Sequence, residues 1–95
     1  MKFSEKVLGI VKQIPKGKVS TYGIVARKLG TSPRAVGQAL KRNRYPNKTD
    51  CFRVICSNGN LGGYSLGQEE KIKRLKKEGV LVKNKKIDLE KYLWR

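Results

Sequence analysis

Cys51 stands between an acid and an aromatic ring in the run Asp50-Cys51-Phe52-Arg53-Val54-Ile55, and the glycine-rich stretch Asn60-Leu61-Gly62-Gly63-Tyr64-Ser65-Leu66-Gly67 follows a few residues later. A cysteine can serve as a nucleophile, a metal ligand, half of a disulfide or a small buried hydrophobe. Composition argues against metal: Cys51 and Cys56 are the two cysteines and there is no histidine. That is too few soft ligands for a structural zinc site, so no metal is expected. A Cys51–Cys56 bond is disfavoured as well, because an extended intervening segment would point the two side chains to opposite faces and a reducing interior keeps thiols free. Nucleophile and packing residue both stay open. The attacking form would be the thiolate, and at a pKa of about 8.5 only a few per cent of a thiol is ionised at neutral pH. Asp50 would push that value up, whereas Arg53, the basic surroundings or a helix N-terminus would pull it down.

The chain that must position this thiol has 95 residues, enough for a single domain over 1–95 with one modest core. Its 23 Lys and Arg against 7 Asp and Glu give a formal charge of +16, which hardly changes between mild acid and neutrality because histidine is absent. Such a field attracts polyanions, and phosphate backbones are the commonest polyanion for a compact basic domain. A solvated, Lys-rich thermophile-type surface is the plainer source of the same charge. A hydrophobic content of 38% favours folding over disorder. The longest apolar run near the start is broken by Lys6, Gly9 and Lys12, so neither a signal peptide nor a membrane span is expected, and the protein reads as intracellular, cytoplasmic or nucleoid-associated. The strong positive field also favours a monomer.

Apolar residues Phe3, Val7, Leu8, Val11 and Ile14 recur at helical spacing, predicting a first amphipathic helix over 3–14 that Pro15 and Gly17 end. Ser20 or Thr21 can cap a second helix through Tyr22, Val25, Ala26 and Leu29, closed by Gly30. Thr31-Ser32-Pro33 then opens a third helix to about Arg42, and the tight turn between the two predicts a helix-turn-helix. On the third helix Val36 and Leu40 share a core-facing side, while Arg34, Gly37, Gln38 and Lys41 fall on another. That second face is basic and small: alanines at 35 and 39 and glycine at 37 would let the backbone approach a groove, although small residues also serve ordinary helix packing. Ala35, Gly37, Gln38 and Lys41 are therefore candidate DNA contacts beside Arg34. The run 51–56 reads as a short β segment, 57–60 as a turn, 68–78 as a Lys-rich helix stopped by Gly79, 80–89 as a small hairpin or two short extended pieces, and the last residues as a helical turn with Trp94 on the core. The fold expected is mostly α with a small β element, a winged-helix-like helix-turn-helix domain.

Taken in order, IPKGKVSTYGIVARKLG, SPRAVGQALKRN, CFRVI, GGYSLG and KKEGV closely resemble the DNA-binding, active-site domain of the O6-alkylguanine-DNA alkyltransferases and their non-enzymatic alkyltransferase-like relatives. Each motif alone is weak; RAVG, then the cysteine segment, then GGYS is a specific order. The family's usual separate N-terminal domain has no counterpart in these residues, and the resemblance puts the reactive groups in the part present. It implies a helix-turn-helix that enters the minor groove of double-stranded DNA containing alkylated guanine, with Arg34 as the finger that fills the gap left by a flipped nucleotide. Tyr22 would crowd the phosphate and help rotate the nucleotide. Asn43 would brace the turn that carries the cysteine, Tyr64 with Ser65 would line the base pocket, and Arg53 would belong to the same pocket-lining and loop-bracing set. Cys51 would accept the alkyl group in one irreversible displacement, with no cofactor.

Two departures qualify that implication. The family normally has proline, cysteine, histidine, arginine where this chain has Asp50, Cys51, Phe52, Arg53. The histidine ordinarily links the cysteine, through water, to a glutamate that aligns with Glu78, and phenylalanine cannot relay a proton. A longer water chain from Glu78, or the local positive charge, would have to compensate. The polar stretch 43–50 also differs from the more apolar loop usual before the cysteine. Two functions from different classes follow: a single-turnover methylated-DNA-protein-cysteine S-methyltransferase, and a lesion sensor that flips and holds the damaged base for other repair proteins. Retention of Cys51 favours the first, loss of the histidine the second. A recognition module fused to a nuclease, or working with one, is a third.

Overall fold

The computed structural model describes residues 2–42, 51–64 and 66–94. Helix α1 covers Phe3–Val11, with Val7 and Val11 buried. It stops short of the predicted Ile14, the residue that Pro15 disfavours in the α region; Gln13 N and Ile14 N donate instead to Ile10 O and Val11 O at 3.0 and 3.1 Å, a tighter closing turn. Ile14 still reaches the core, 1% exposed. Strand β1 (Ser20–Thr21) leads straight into α2 (Tyr22–Leu29), whose cap is Thr21, Oγ1 accepting from Ile24 N at 3.1 Å.

Gly30 adopts the left-handed conformation at φ 68°, and Thr31 N then donates to Ala26 O at 2.9 Å, which ends α2 and turns the chain. Ser32 Oγ accepts from Ala35 N, Pro33 occupies the first turn, and α3 runs Pro33–Lys41. Val36 and Leu40 are buried, as their spacing predicts. The three helices pack Val7, Val11, Ile14, Val25, Ala26, Val36 and Leu40 together with Cys51 and Val54.

The segment expected as a β run divides. Cys51–Arg53 forms a 3-10 turn and only Val54–Ile55 is strand (β2), paired parallel to β1 with Ser20 opposite Val54 and Thr21 opposite Ile55. All five residues of 51–55 are buried. Cys51 and Val54 enter one core cluster and Phe52 and Ile55 the other, so the segment feeds both cores although only its last two residues are strand. Cys51 and Cys56 are not joined by a disulfide, although the intervening segment is not the extended one assumed.

Helix α4 (Gln68–Lys77) ends at Glu78 and Gly79, where Val80 N donates to Leu75 O at 3.0 Å. A hairpin over 83–86 follows, then α5 (Leu89–Tyr92), capped by Asp88. The tail is tied back to the start of the sheet: Val19 N donates to Tyr92 O at 2.8 Å and Trp94 N to Val19 O at 2.7 Å. Trp94 packs on the helical core, as expected, with the Lys28 ammonium 5.1 Å from its ring centroid. The architecture is mostly helical with a two-stranded sheet, a helix-turn-helix made of α2 and α3. Among the described residues no helix is long and apolar enough to cross a membrane.

Candidate functional site

A cleft of about 630 Å³ opens between the small-residue face of α3 and the glycine-rich loop, lined among the described residues by Tyr22, Gly37, Leu40, Lys41, Cys51, Gly63 and Tyr64. Its size falls in the range of small-molecule sites. Cys51 lies in its wall, 4% exposed. The two segments read as chemically suggestive in the sequence therefore meet, and the third helix meets both.

The α3 side of the cleft is built for close approach. A Cβ at Gly37 would meet no atom within 4 Å, so internal packing does not require glycine there. Arg34, Gln38 and Lys41 are exposed, and Ala35 is half-buried. The other side is held rigidly. Lys71, wholly buried on α4, donates from Nζ to Val54 O at 2.8 Å, Leu61 O at 2.5 Å and Gly63 O at 3.2 Å. Gln68 Nε2 donates to Gly62 O at 2.9 Å, and the Tyr22 hydroxyl approaches Gly63 O at 3.5 Å. Gly62 has φ 70°, and a Cβ there would stand 3.1 Å from Cys56 Sγ and 3.3 Å from the Tyr22 ring edge, so the loop passes these groups only as glycine.

Two titrations are displaced in this wall. Burial first, and then charge on the nearby Cys56 and Cys51, pushes Tyr22 up to about 12. Burial lowers Lys71 to about 8, an effect the two cysteines oppose. Sequence reasoning placed Lys71 in a Lys-rich helix without singling it out, and so missed it. The available signal was its phase: Lys71 falls one turn before the buried Leu75 and beside Ile72 on the apolar side of α4.

Arg53 and Glu78 lie close to the cysteine turn but do not line the cleft among its described residues. Arg53 Nε donates to Glu78 Oε1 at 2.9 Å, Nη2 donates to Oε2, and Nη1 donates to Ile14 O at 2.9 Å. Gly17 N adds a bond to Glu78 Oε1 at 3.2 Å. Both carboxylate oxygens are thus engaged, and the network clamps the turn carrying Cys51 to the end of α1 and the end of α4. Phe52 is buried in the second core, with the Arg53 and Arg74 guanidinium groups 5.3 and 6.0 Å from its ring. Asn43, Asp50 and Ser65 lie outside the described residues. No group of metal-ligating side chains occurs among the described residues.

Three comparisons bear on this arrangement. The family model for the DNA-binding domain of 6-O-methylguanine DNA methyltransferase matches residues 2–80. A methylated-DNA–protein-cysteine methyltransferase of Methanocaldococcus jannaschii is 58% identical over 69 residues, which is 73% of this chain and 41% of that protein. A bifunctional methyltransferase/endonuclease of Picrophilus torridus is 47% identical over 85 residues, 87% of this chain and 28% of that protein. The chain therefore spans less than half the length of these two curated relatives. Among solved structures, S. pombe Atl1 in complex with damaged DNA containing O6-carboxymethylguanine superposes with a TM-score of 0.89 at 36% identity, covering 100% of this chain and 99% of that one. An O6-methylguanine-DNA methyltransferase from the archaeon Pyrococcus kodakaraensis gives 0.78 at 48% identity, covering 84% of this chain and 47% of that one. With a matched model over 2–80, and a cysteine turn that meets the helix-turn-helix at a cleft, this chain belongs to the 6-O-methylguanine DNA methyltransferase family.

Proposed function

We propose that this protein acts on alkylation damage in duplex DNA, turning O6-alkylguanine out of the helix and transferring its alkyl group to Cys51. The observation that carries the reading is the presence of Cys51 in the wall of the cleft between α3 and the glycine-rich loop. In the step proposed, sulfur forms a bond to the alkyl carbon as the carbon–O6 bond breaks. The electron pair of that bond stays on the purine, and the proton lost from the thiol restores neutral guanine. No cofactor is needed for this balance. α3 would enter the minor groove on its small-residue face, Ala35 and Gly37 allowing close approach while Gln38 and Lys41 meet the backbone. Arg34 would fill the vacated stack, Tyr22 would crowd the rotated phosphate, and Tyr64 would bound the base. Asn43 and Ser65 complete the proposed set. Glu78 serves in this reading through Arg53, as the brace of the cysteine turn.

A second reading, a sensor that holds the damaged base for other repair proteins, is favoured by a specific observation. Phe52, which the resemblance aligns with the relay histidine, is packed in the core, while the Glu78 carboxylate is engaged by Arg53 and Gly17. Likeness over the full chain to Atl1, in a complex with damaged DNA, supports the base-holding half of either reading.

Intact-protein mass spectrometry after incubation with a duplex containing O6-methylguanine separates the two. Gain of one methyl group, abolished by Cys51→Ala, is the expected result, and Phe52→His should raise its rate. Tight lesion binding with unchanged mass would transfer the conclusion to the sensor.

A further inference from the structure

Beyond Val80 the chain makes a two-residue hairpin that neither the cleft nor α3 accounts for. Lys83 N donates to Lys86 O at 2.9 Å and Lys86 N to Lys83 O at 3.0 Å, leaving Asn84 and Lys85 at the tip. Both tip residues have positive φ, 54° and 59°. Asparagine tolerates that region, but at the second tip position glycine is the residue such turns favour. The chain keeps a lysine where glycine would fold at lower conformational cost, which points to a use for the side chain. Lys83, Lys85 and Lys86 are all exposed, and the neighbouring acid, Asp88, is occupied in capping α5, Oδ1 accepting from Glu90 N at 3.0 Å.

The hairpin is docked against the strap that leads into the cleft. Leu61 N donates to Lys85 O at 3.1 Å and Ile87 N to Gly59 O at 2.9 Å. A Cβ at Gly59 would stand 2.8 Å from Ile87 O, so this docking requires glycine at 59. Two residues beyond Leu61 is Gly63 in the cleft wall, and the Lys71 ammonium bonds the carbonyls of both. Three ammonium groups thus stand on a support shared with the rim of the cleft. Ammonium groups are point charges that suit phosphate without reading sequence.

We propose that Lys83, Lys85 and Lys86 form an arm that grips the duplex phosphate backbone beside the cleft, enlarging the interface beyond α3. The arm rests on the DNA-binding reading given above. The test is titration of a short fluorescent duplex containing O6-methylguanine across a salt series. Wild type is compared with Lys83→Gln/Lys85→Gln/Lys86→Gln, with Lys85→Gly, and with Lys6→Gln/Lys12→Gln/Lys16→Gln, which removes the same charge from α1 and the turn after it. The plot of log affinity against log salt should become shallower by about 2 to 3 for the hairpin triple variant and by roughly 1 for Lys85→Gly, since each lost phosphate contact is worth about 0.9 of slope. The α1 triple variant should keep the wild-type slope. Lys85→Gly should fold as stably as wild type or more so, which separates lost contact from lost structure. Equal slopes for the two triple variants, or unchanged duplex affinity of Lys85→Gly, would overturn the arm while leaving the parent reading intact. Absence of salt-dependent duplex binding by wild type would overturn that reading and the arm with it.

Discussion

The two walls of the cleft are made on opposite principles. The α3 side is exposed and basic: Lys41 on the cleft and Arg34 and Gln38 outside its lining remain in water, and Gly37 leaves open space in the wall. The loop wall and the cysteine turn rest on buried charge, with Lys71 held by three carbonyls and Arg53 paired to Glu78. Burying charge is expensive unless every donor is satisfied. The molecule bears that cost where a loop and a thiol must keep one geometry, and keeps its solvated charge where a partner is to be met. Loss of a buried group should therefore cost stability, and loss of an exposed one should cost binding.

The sharpest way to break this contrast is to cut the inner clamp. Glu78→Gln leaves the Arg53 guanidinium without its counter-charge in a site where both side chains are 9% exposed, and should destabilise the fold by about 3–5 kcal/mol in chemical denaturation. A loss below about 1 kcal/mol, the range of surface pairs, would show that the clamp is not a structural element.

Next in size is a pH effect of Lys71. Its pKa is lowered to about 8 in the folded protein from 10.5, so between these values the unfolded chain binds the extra proton and stability rises with pH. The rise should reach roughly 3 kcal/mol by the relation of one pKa unit to 1.36 kcal/mol. Tyr22 works in the opposite sense. Raised to about 12 from 10.0, it retains its proton in the fold after the unfolded chain has lost it, and stability falls over that interval. Denaturation curves of Lys71→Met and Tyr22→Phe against wild type should remove the rising and the falling limb respectively. Parallel pH profiles for all three proteins would contradict the assignment.

The smallest effects belong to the exposed wall and should appear in binding alone. Arg34→Ala should weaken binding to a duplex containing O6-methylguanine by about 1–3 kcal/mol with little change in folding stability. Lys76→Ala, on the exposed side of α4, should lose only a diffuse phosphate contribution. Equal losses at matched salt would remove Arg34 from its special place.

How much of this was readable in the residues follows the same division. The bounds of α2 and α3 were local and legible, unlike the end of α1: Thr21 and Ser32 cap, Gly30 turns the chain, and Val36 with Leu40 mark the buried side of α3. The exposed wall came with them, because helical spacing alone separates Arg34, Gln38 and Lys41 from the core. The buried frame did not. Cys51–Arg53 is a single 3-10 turn, too short to carry a period, so the neighbouring Val54 and Ile55 made the whole run look like strand. Arg53 finds Glu78 25 residues away, and Lys71 finds its carbonyls on β2 and on the loop. Buried charge is defined by partners distant in sequence, and only the phase of Lys71 on α4 hinted at it.

The central claim is that the cleft beside Cys51 receives a purine turned out of the duplex, and a crystal structure of Cys51→Ala bound to a duplex containing O6-methylguanine tests it most directly. The modified base should lie in the cleft, bounded by Tyr22, Gly63 and Tyr64, with the Arg34 side chain in the stack it left. A duplex in which every base remains paired, with the cleft facing away from the DNA, would contradict it.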